Sequence, residues 1–334
     1  MKNACIVGYG AIGPVHAHAL EAAEDARFYA VCDIDKSRRR ICRSQYKVAE
    51  YSDFDDMLAD TAVDCVHICT PHYLHKDMAV KAMHAGKHIV LEKPVGMNDE
   101  ELDELIAVQK ETGAKVCVML QNRMNQGIQM MRSLLNEPSL GRLLGIEGSL
   151  TWHRGADYYN KAEWRGTWKY EGGGLLINQA VHLIDLLGYL GGGIESVRAD
   201  ISAKLLDDVI EVEDTADALL TMNNGVNACF FATNTYGADK PLRIELQYEN
   251  ALFRYADNRL YQITDEVKIL AEDDKNYIGK KYWGTGHQAV IAQFYSALCR
   301  GGEYLKLEDC INSSRALFAF YRSSLAGGAK MTVS

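Results

Sequence analysis

The chain has no Cys-x-x-Cys pair, no apolar run of membrane-spanning length and almost no clustered positive charge. Each absence argues against a class of protein. Nine cysteines are present, an odd count, and most lie inside apolar runs: Cys5, Cys65, Cys69, Cys117 and Cys229. That pattern reads as reduced, buried thiols, with neither a disulfide frame nor a zinc site. The N-terminus lacks the basic, apolar and small-residue order of a signal peptide. The expectation is a cytoplasmic protein with no membrane partner. The formal net charge is -9, and Arg38-Arg39-Arg40 is the only dense basic run, so nucleic acid is not an expected partner. His72 and His75, and His84 and His88, have spacings a metal could use, but no carboxylate or thiolate cluster accompanies them, and no metal is expected.

What is present points to an ordinary soluble protein of two domains. The 334 residues exceed one ordinary core, and 48% are hydrophobic against 24% charged. The organising stretch is Val90-Leu91-Glu92-Lys93-Pro94-Val95. It reads as a buried strand, residues 88–91, stopped by a proline that has no amide proton for a sheet ladder. Glu92 and Lys93 therefore fall just past the strand's carboxyl end, the edge where open parallel sheets bind ligands.

From the start of the chain the pattern is strand, glycine turn, helix. Residues 3–7 are apolar and β-prone, Gly8-Tyr9-Gly10-Ala11-Ile12-Gly13 follows, and residues 14–24 read as a helix. Gly8 permits the tight turn, Gly10 lets backbone approach a pyrophosphate, and Gly13 allows close helix packing. Ala11 and Ile12 complete that turn, and the helix N-terminus offers its unpaired amides to phosphate. Asp33 ends the next strand, 20 residues past the last glycine (33 − 13), the spacing of a ribose-binding acid. Its charge repels a 2′-phosphate and favours NAD over NADP; Arg38 and Arg39 nearby keep NADP as the minority alternative. Strand-like runs at 63–70 and 115–120, with helices at 76–85 and 98–112, continue the alternation. The result is a doubly wound parallel sheet over 1–121. Its carboxyl edge collects the glycine turn, Asp33, Thr70, Pro71, His75, Glu92, Lys93 and Asn122.

After Pro138 the texture changes to strand-like runs at 142–153, 196–204, 215–222, 226–235, 242–248, 252–256 and 260–264, joined by turn chemistry. Residues 122–334 therefore read as an α+β domain with an open, mostly antiparallel sheet. Leu219, Met222, Phe230 and Phe231 supply apolar surface for a second subunit, or for cover by helices at 287–299 and 309–324. Between the strands lies a dense set, Tyr158 to Trp168, mixing aromatics with Arg165, Asn160 and Lys161. Such sets suit a sugar, and Tyr159, Trp164, Arg165 and the earlier Arg123 are its candidate binding residues. A flexible entry, Glu171-Gly172-Gly173-Gly174, leads into an apolar helix at 175–190. On it Asn178, His182 and Asp185, spaced by four and three, share one face. A buried polar stripe must be hydrogen-bonded, internally or to a substrate. The acid beside His182 would orient its ring and raise its basicity.

The motifs Gly8-Tyr9-Gly10-Ala11-Ile12-Gly13, Thr70-Pro71 with His75, Glu92-Lys93-Pro94, and Gly172-Gly173-Gly174 leading to Asn178 and His182 resemble those of the glucose–fructose oxidoreductase/inositol dehydrogenase (Gfo/Idh/MocA) family. The resemblance runs over nearly the whole chain. It implies an N-terminal Rossmann domain that binds a nicotinamide cofactor and a C-terminal α+β domain that binds substrate and builds a homodimer or homotetramer through its sheet. It implies hydride transfer at a hydroxyl carbon of a sugar, cyclitol or glycoside, with Lys93 and His182 as the catalytic pair. Many members carry Asp where this chain has Asn178, which takes no proton; Asn178-Gln179 resembles a subgroup acting on glycosides or modified sugars. In the implied mechanism Lys93 steadies the alkoxide and His182 removes the proton, with the reverse assignment open. The alternative is redox-neutral chemistry (elimination, epimerisation or glycoside cleavage) through a transient keto intermediate. A nicotinamide-binding sensor is a third class.

Overall fold

The computed structural model describes residues 1–135, 137–274 and 285–333. These form two compact units: Met1–Gln121 with Thr285–Cys310, and the remainder of the described chain. The first unit carries six parallel strands in the order β3-β2-β1-β4-β5-β6. They are β1 (Lys2–Val7), β2 (Ala26–Cys32), β3 (Ala49–Tyr51), β4 (Cys65–Ile68), β5 (His88–Leu91) and β6 (Val116–Val118). Helices α1 (Gly13–Ala22), α2 (Lys36–Tyr46), α3 (Phe54–Ala59), α4 (His75–His84) and α5 (Asp99–Thr112) make the crossovers. The central strands are buried nearly throughout, because helices cover both faces of a parallel sheet. Helix ends follow local chemistry. The Asp35 side chain accepts from the amides of Ser37 and Arg38, Asn98 accepts from Glu101, and Gly113 closes α5 at φ +68°. The strand order reverses between β1 and β4, which opens a crevice at their carboxyl ends. β3 and α3 were not expected from the sequence; they are short and largely exposed, so no apolar run marks them.

One long helix falls elsewhere than expected. Everything after residue 121 was expected in the second domain, with 287–299 as cover for the antiparallel sheet. In the structure α10 (Gly286–Arg300) packs on α1 in the first unit. Its apolar face of Val290, Ile291, Phe294 and Tyr295 is buried there.

The second unit holds a nine-stranded sheet, β14-β13-β12-β11-β7-β10-β9-β8-β15. The strands are β7 (Leu143–Thr151), β8 (Ile194–Ser202), β9 (Thr215–Met222), β10 (Asn227–Thr233), β11 (Arg243–Tyr248), β12 (Leu252–Ala256), β13 (Arg259–Ile263), β14 (Val267–Glu272) and β15 (Met331–Thr332). Every neighbouring pair is antiparallel except β7 with β10. Helices α9 (Val181–Gly191) and α11 (Ile311–Leu325) pack on this sheet, and α6 (Gln126–Leu134), α7 (Ala156–Tyr159) and α8 (Trp168–Glu171) complete the unit. The pleat sorts the apolar run of β10: Ala228, Phe230 and Ala232 are buried, while Cys229 and Phe231 project from the opposite face. Cys229 is thus exposed, against the expectation of a buried thiol; Cys299 is exposed as well. The stretch Trp168–Gly191 contains an 18-residue window long and apolar enough to cross a membrane, but 83% of that window is buried inside the protein.

Candidate active site

The first unit's site begins at the glycine turn, where each glycine does something different. Gly8 has φ +89°, and a Cβ there would lie 2.7 Å from the Cys69 carbonyl oxygen. A Cβ on Gly13 would lie 2.8 Å from the Gly8 oxygen, so helix and turn pack backbone to backbone. A Cβ on Gly10 would meet only Arg38 Nη1, at 3.8 Å; this position is open, as an approaching pyrophosphate requires. Ala11 is exposed and Ile12 half-buried at the same mouth. Asp33 is buried, and its Oδ2 accepts from the Tyr9 amide at 2.6 Å while Oδ1 accepts from the Asp35 amide at 2.8 Å. These donors fix a carboxylate beside the turn, with Arg38 Nη1 3.8 Å away.

Lys93 is the exception in its stretch. From Val90 to Gly96 every residue is buried except Lys93, which is half-exposed. Its neighbours are pinned. His75, 1% exposed, contacts the Pro94 carbonyl oxygen through Nδ1 at 2.7 Å and the Thr70 carbonyl oxygen through Nε2 at 2.8 Å. His75 was expected to line the cofactor; its ring ties the Thr70-Pro71 turn to the Lys93-Pro94 turn. Glu92 was also assigned to the cofactor. It points inward, with Oε1 2.9 Å from His16 Nε2, and its own Oε2 accepts from the Lys93 amide at 3.2 Å.

No motif in the sequence marks what lies behind Glu92. His16 Nδ1 is 2.9 Å from His67 Nδ1, and His67 Nε2 is 2.8 Å from the Tyr295 hydroxyl. All four side chains are buried. Burial raises the Glu92 carboxyl, but the His16 hydrogen bond and the neighbouring His16 and His287 outweigh it and hold it at about 2. A carboxylate only accepts, so His16 donates through Nε2. Along the rest of the network, which ring nitrogen donates at the His16–His67 and His67–Tyr295 contacts is set by the tautomers. Burial pushes His287 down to about 4, and its Nε2 lies 3.8 Å from Glu92 Oε1. His16, Glu92 and His287 bring ligand atoms within 4.8 Å of one another, a geometry a cation could use, but ionic hydrogen bonding already accounts for the His16–Glu92 contact. These histidines come from α1, β4 and α10, and no spacing in the sequence links them.

In the second unit the helix expected at 175–190 begins with a π turn, Leu176–Ala180, before α9. Such turns often mark functional positions. Two of the glycines before it are close-contact positions: a Cβ on Gly174 would lie 2.2 Å from the Glu213 carbonyl oxygen, and one on Gly173 2.0 Å from the Tyr321 hydroxyl. Asn178 and His182 are half-buried. Asp185 was expected to orient His182. Its carboxylate instead binds Arg123, Nε to Oδ2 at 2.8 Å and Nη2 to Oδ1 at 2.6 Å, and accepts from the Ser313 hydroxyl at 2.8 Å. Arg123, read as a substrate ligand, is buried in this ion pair.

Tyr159, also read as a substrate ligand, is buried in a small core with Leu206, Ile210 and Val212. Its neighbour Tyr158 takes the polar position: its hydroxyl lies 3.1 Å from Gln179 Nε2 and 3.4 Å from Asn178 Nδ2. Arg165 stacks over the Tyr158 ring at 4.3 Å and over Trp164 at 5.4 Å. Its Nε is buried without a hydrogen-bond partner among the described residues, as is Asn122 Oδ1. Behind Asn178, Glu171 is wholly buried and accepts from Asn178 Nδ2 at 2.5 Å.

Residues 2–120 match the oxidoreductase family with an NAD-binding Rossmann fold, and residues 128–254 match the GFO/IDH/MocA C-terminal domain. The chain belongs to the GFO/IDH/MocA oxidoreductase family. As a member, it carries an NAD-binding Rossmann domain, and the open Gly10 position and the fixed Asp33 carboxylate fit that cofactor. It is 27% identical to levoglucosan dehydrogenase of Pseudarthrobacter phenanthrenivorans over 234 residues, which is 67% of this chain but only 59% of that relative. It is 24% identical to myo-inositol 2-dehydrogenase of Thermotoga maritima over 285 residues, 83% of this chain and 80% of that one. The WlbA dehydrogenase from Bordetella pertussis, solved in complex with NADH and UDP-GlcNAcA, is 27% identical with TM-score 0.87, covering 99% of this chain and 98% of that one.

Proposed function

We propose that the chain transfers a hydride between NAD and a hydroxyl carbon of a sugar, cyclitol or glycoside. One observation carries the reading: Lys93 is the only side chain from Val90 to Gly96 that is not buried, on backbone pinned at both sides. A cation held so at a sheet's carboxyl edge needs little reorganisation to meet developing negative charge. NAD, when bound, supplies the hydride acceptor. Gly8, Gly10, Ala11, Ile12, Gly13 and Asp33 hold it, with Thr70, Pro71, Lys93 and Asn122 beside it; His75 and Glu92 shape the turn from behind. Lys93 steadies the alkoxide, and His182 takes the hydroxyl proton. Asn178, Tyr158, Trp164 and Arg165 orient hydroxyls and ring faces. Two relatives are named as dehydrogenases of levoglucosan and of myo-inositol, which supports a polyhydroxylated substrate.

The test is NADH absorbance over a panel of sugars, cyclitols and glycosides. Steady NADH formation with at least one is the expected result. NADH that forms and is consumed again without added oxidant would reassign the chain to redox-neutral chemistry. No NADH with any of them would remove the dehydrogenase reading.

The same proposal includes a cytoplasmic homodimer or homotetramer joined through the open sheet face, where Leu219 and Phe231 are 44% and 42% exposed. Sedimentation velocity on Phe231→Asp should show dissociation; a monomeric wild type would end the idea.

A further inference from the structure

We propose that Glu171 is a positioning residue whose protonation state decides which end of the Asn178 amide meets the substrate. This rests on the dehydrogenase reading above. Glu171 is 0% exposed at the end of α8. Its Oε2 accepts from the Gly166 backbone amide at 2.5 Å, and its Oε1 accepts from Asn178 Nδ2 at 2.5 Å. The two oxygens are not equivalent. A backbone N–H cannot reverse, so Oε2 must stay an acceptor. A proton arriving on Glu171 therefore resides on Oε1 and needs an acceptor of its own. The side-chain amide of Asn178 can supply one by rotating to offer Oδ1. When Glu171 is ionised, Asn178 gives it N–H and turns its carbonyl the other way. When Glu171 is protonated, the amide is reversed and Asn178 presents its NH₂ group. An acceptor for a substrate hydroxyl becomes a donor, with no movement of backbone.

The groups around Glu171 place this change in the neutral range. Burial pushes its carboxyl up to about 7; the Gly166 and Asn178 hydrogen bonds and the Arg165 charge oppose the rise, and Glu213 adds to it. Tyr159 from α7 and Tyr321 from α11 feel its charge, and Tyr158 reaches Asn178 from α7. Arg165 is the one cation among the groups named here.

Glu171→Gln separates switch from scaffold. A glutamine keeps its carbonyl on Gly166, so its NH₂ faces Asn178 and locks the reversed amide. The first measurement needs no turnover: the ¹⁵N side-chain resonance of Asn178 in the full chain, followed through the value of about 7. It should titrate in the wild type and stay constant in Glu171→Gln. The second uses whichever polyol the panel identifies. Glu171→Gln should lower kcat/KM about tenfold above neutral pH, the effect of one misplaced hydrogen bond, and lose one proton dependence while NADH affinity is unchanged. A wild-type Asn178 resonance that does not move through neutral pH overturns the proposal, even if the variant fails to fold. So does a variant whose pH profile matches wild type. A wild type that oxidises no polyol sinks the dehydrogenase reading alone, because the amide titration is still readable.

Discussion

His16 Nε2 stands 2.9 Å from Glu92 Oε1, and both side chains are buried. The contact joins the helix that follows the glycine turn to the turn that carries Lys93. It is the last step of the chain Tyr295–His67–His16–Glu92, which leaves Lys93 half-exposed beside an anchored neighbour.

Glu92→Gln should break that chain at its charged end. A hydrogen bond to a charged group contributes about 1.5–3 kcal/mol, and a neutral amide that can still accept should lose part of it, about 2 kcal/mol. Urea unfolding at neutral pH measures it. The pH dependence follows from a lowered folded value, about 2. The stabilisation is present above the unfolded carboxyl's ordinary value and is lost as pH falls through the folded one. An acid-unfolding curve unchanged by the substitution would contradict this.

Gly8→Ala and Gly10→Ala should separate folding from cofactor binding. At Gly8 the added carbon meets backbone at 2.7 Å with φ +89°, so stability should fall by about 2 kcal/mol. At Gly10 only an arginine tip lies near, at 3.8 Å. Gly10→Ala should melt like wild type while NADH binds at least about tenfold more weakly, judged by its fluorescence. Equal NADH affinity in Gly10→Ala would remove that position from the phosphate site.

Asp185→Ala leaves the Arg123 guanidinium buried without its carboxylate. A loss of about 3–5 kcal/mol is expected, while NADH affinity stays unchanged. Sugar KM is the discriminating readout. If Asp185→Ala unfolds like wild type but raises KM, Arg123 is a substrate ligand after all.

Glu171 and Glu213 are both raised to about 7, in each case first by burial. A raised folded value means the folded chain binds the proton more tightly. Each carboxyl's contribution is therefore full below the unfolded value and declines as pH rises through about 7. The ceiling is about 3 kcal/mol per group. Urea midpoints should fall between weakly acidic and weakly alkaline pH, less so in Glu171→Gln. A flat pH profile would mean these acids are already ionised when buried.

Lys93→Met and His182→Ala should each lower turnover by about 10²-fold or more, with NADH affinity within about twofold of wild type. Full turnover in either variant takes that residue out of the mechanism. Which one is the base would show in the pH profile: the acid-side inflection vanishes with the base.

Much of the fold was legible because strand ends, glycines and prolines act locally. The strand stopped at Pro94, the turn at Gly8 and the caps at Asn98 and Gly113 each depend on a few adjacent residues. Single-residue exposure on a sheet was not legible inside an apolar run, as Cys229 shows.

The sequence by itself determined the alternation of strand and helix, the glycine turn and the helix that bears Asn178 and His182. Only the tertiary structure decided what those side chains touch. Asp185 binds Arg123 rather than His182, Tyr159 enters a core while Tyr158 meets the polar stripe, and α10 packs on α1. The reason is range: propensity and capping act over a few residues, whereas partners such as Glu92 and His16, 76 positions apart, meet only when separate elements pack.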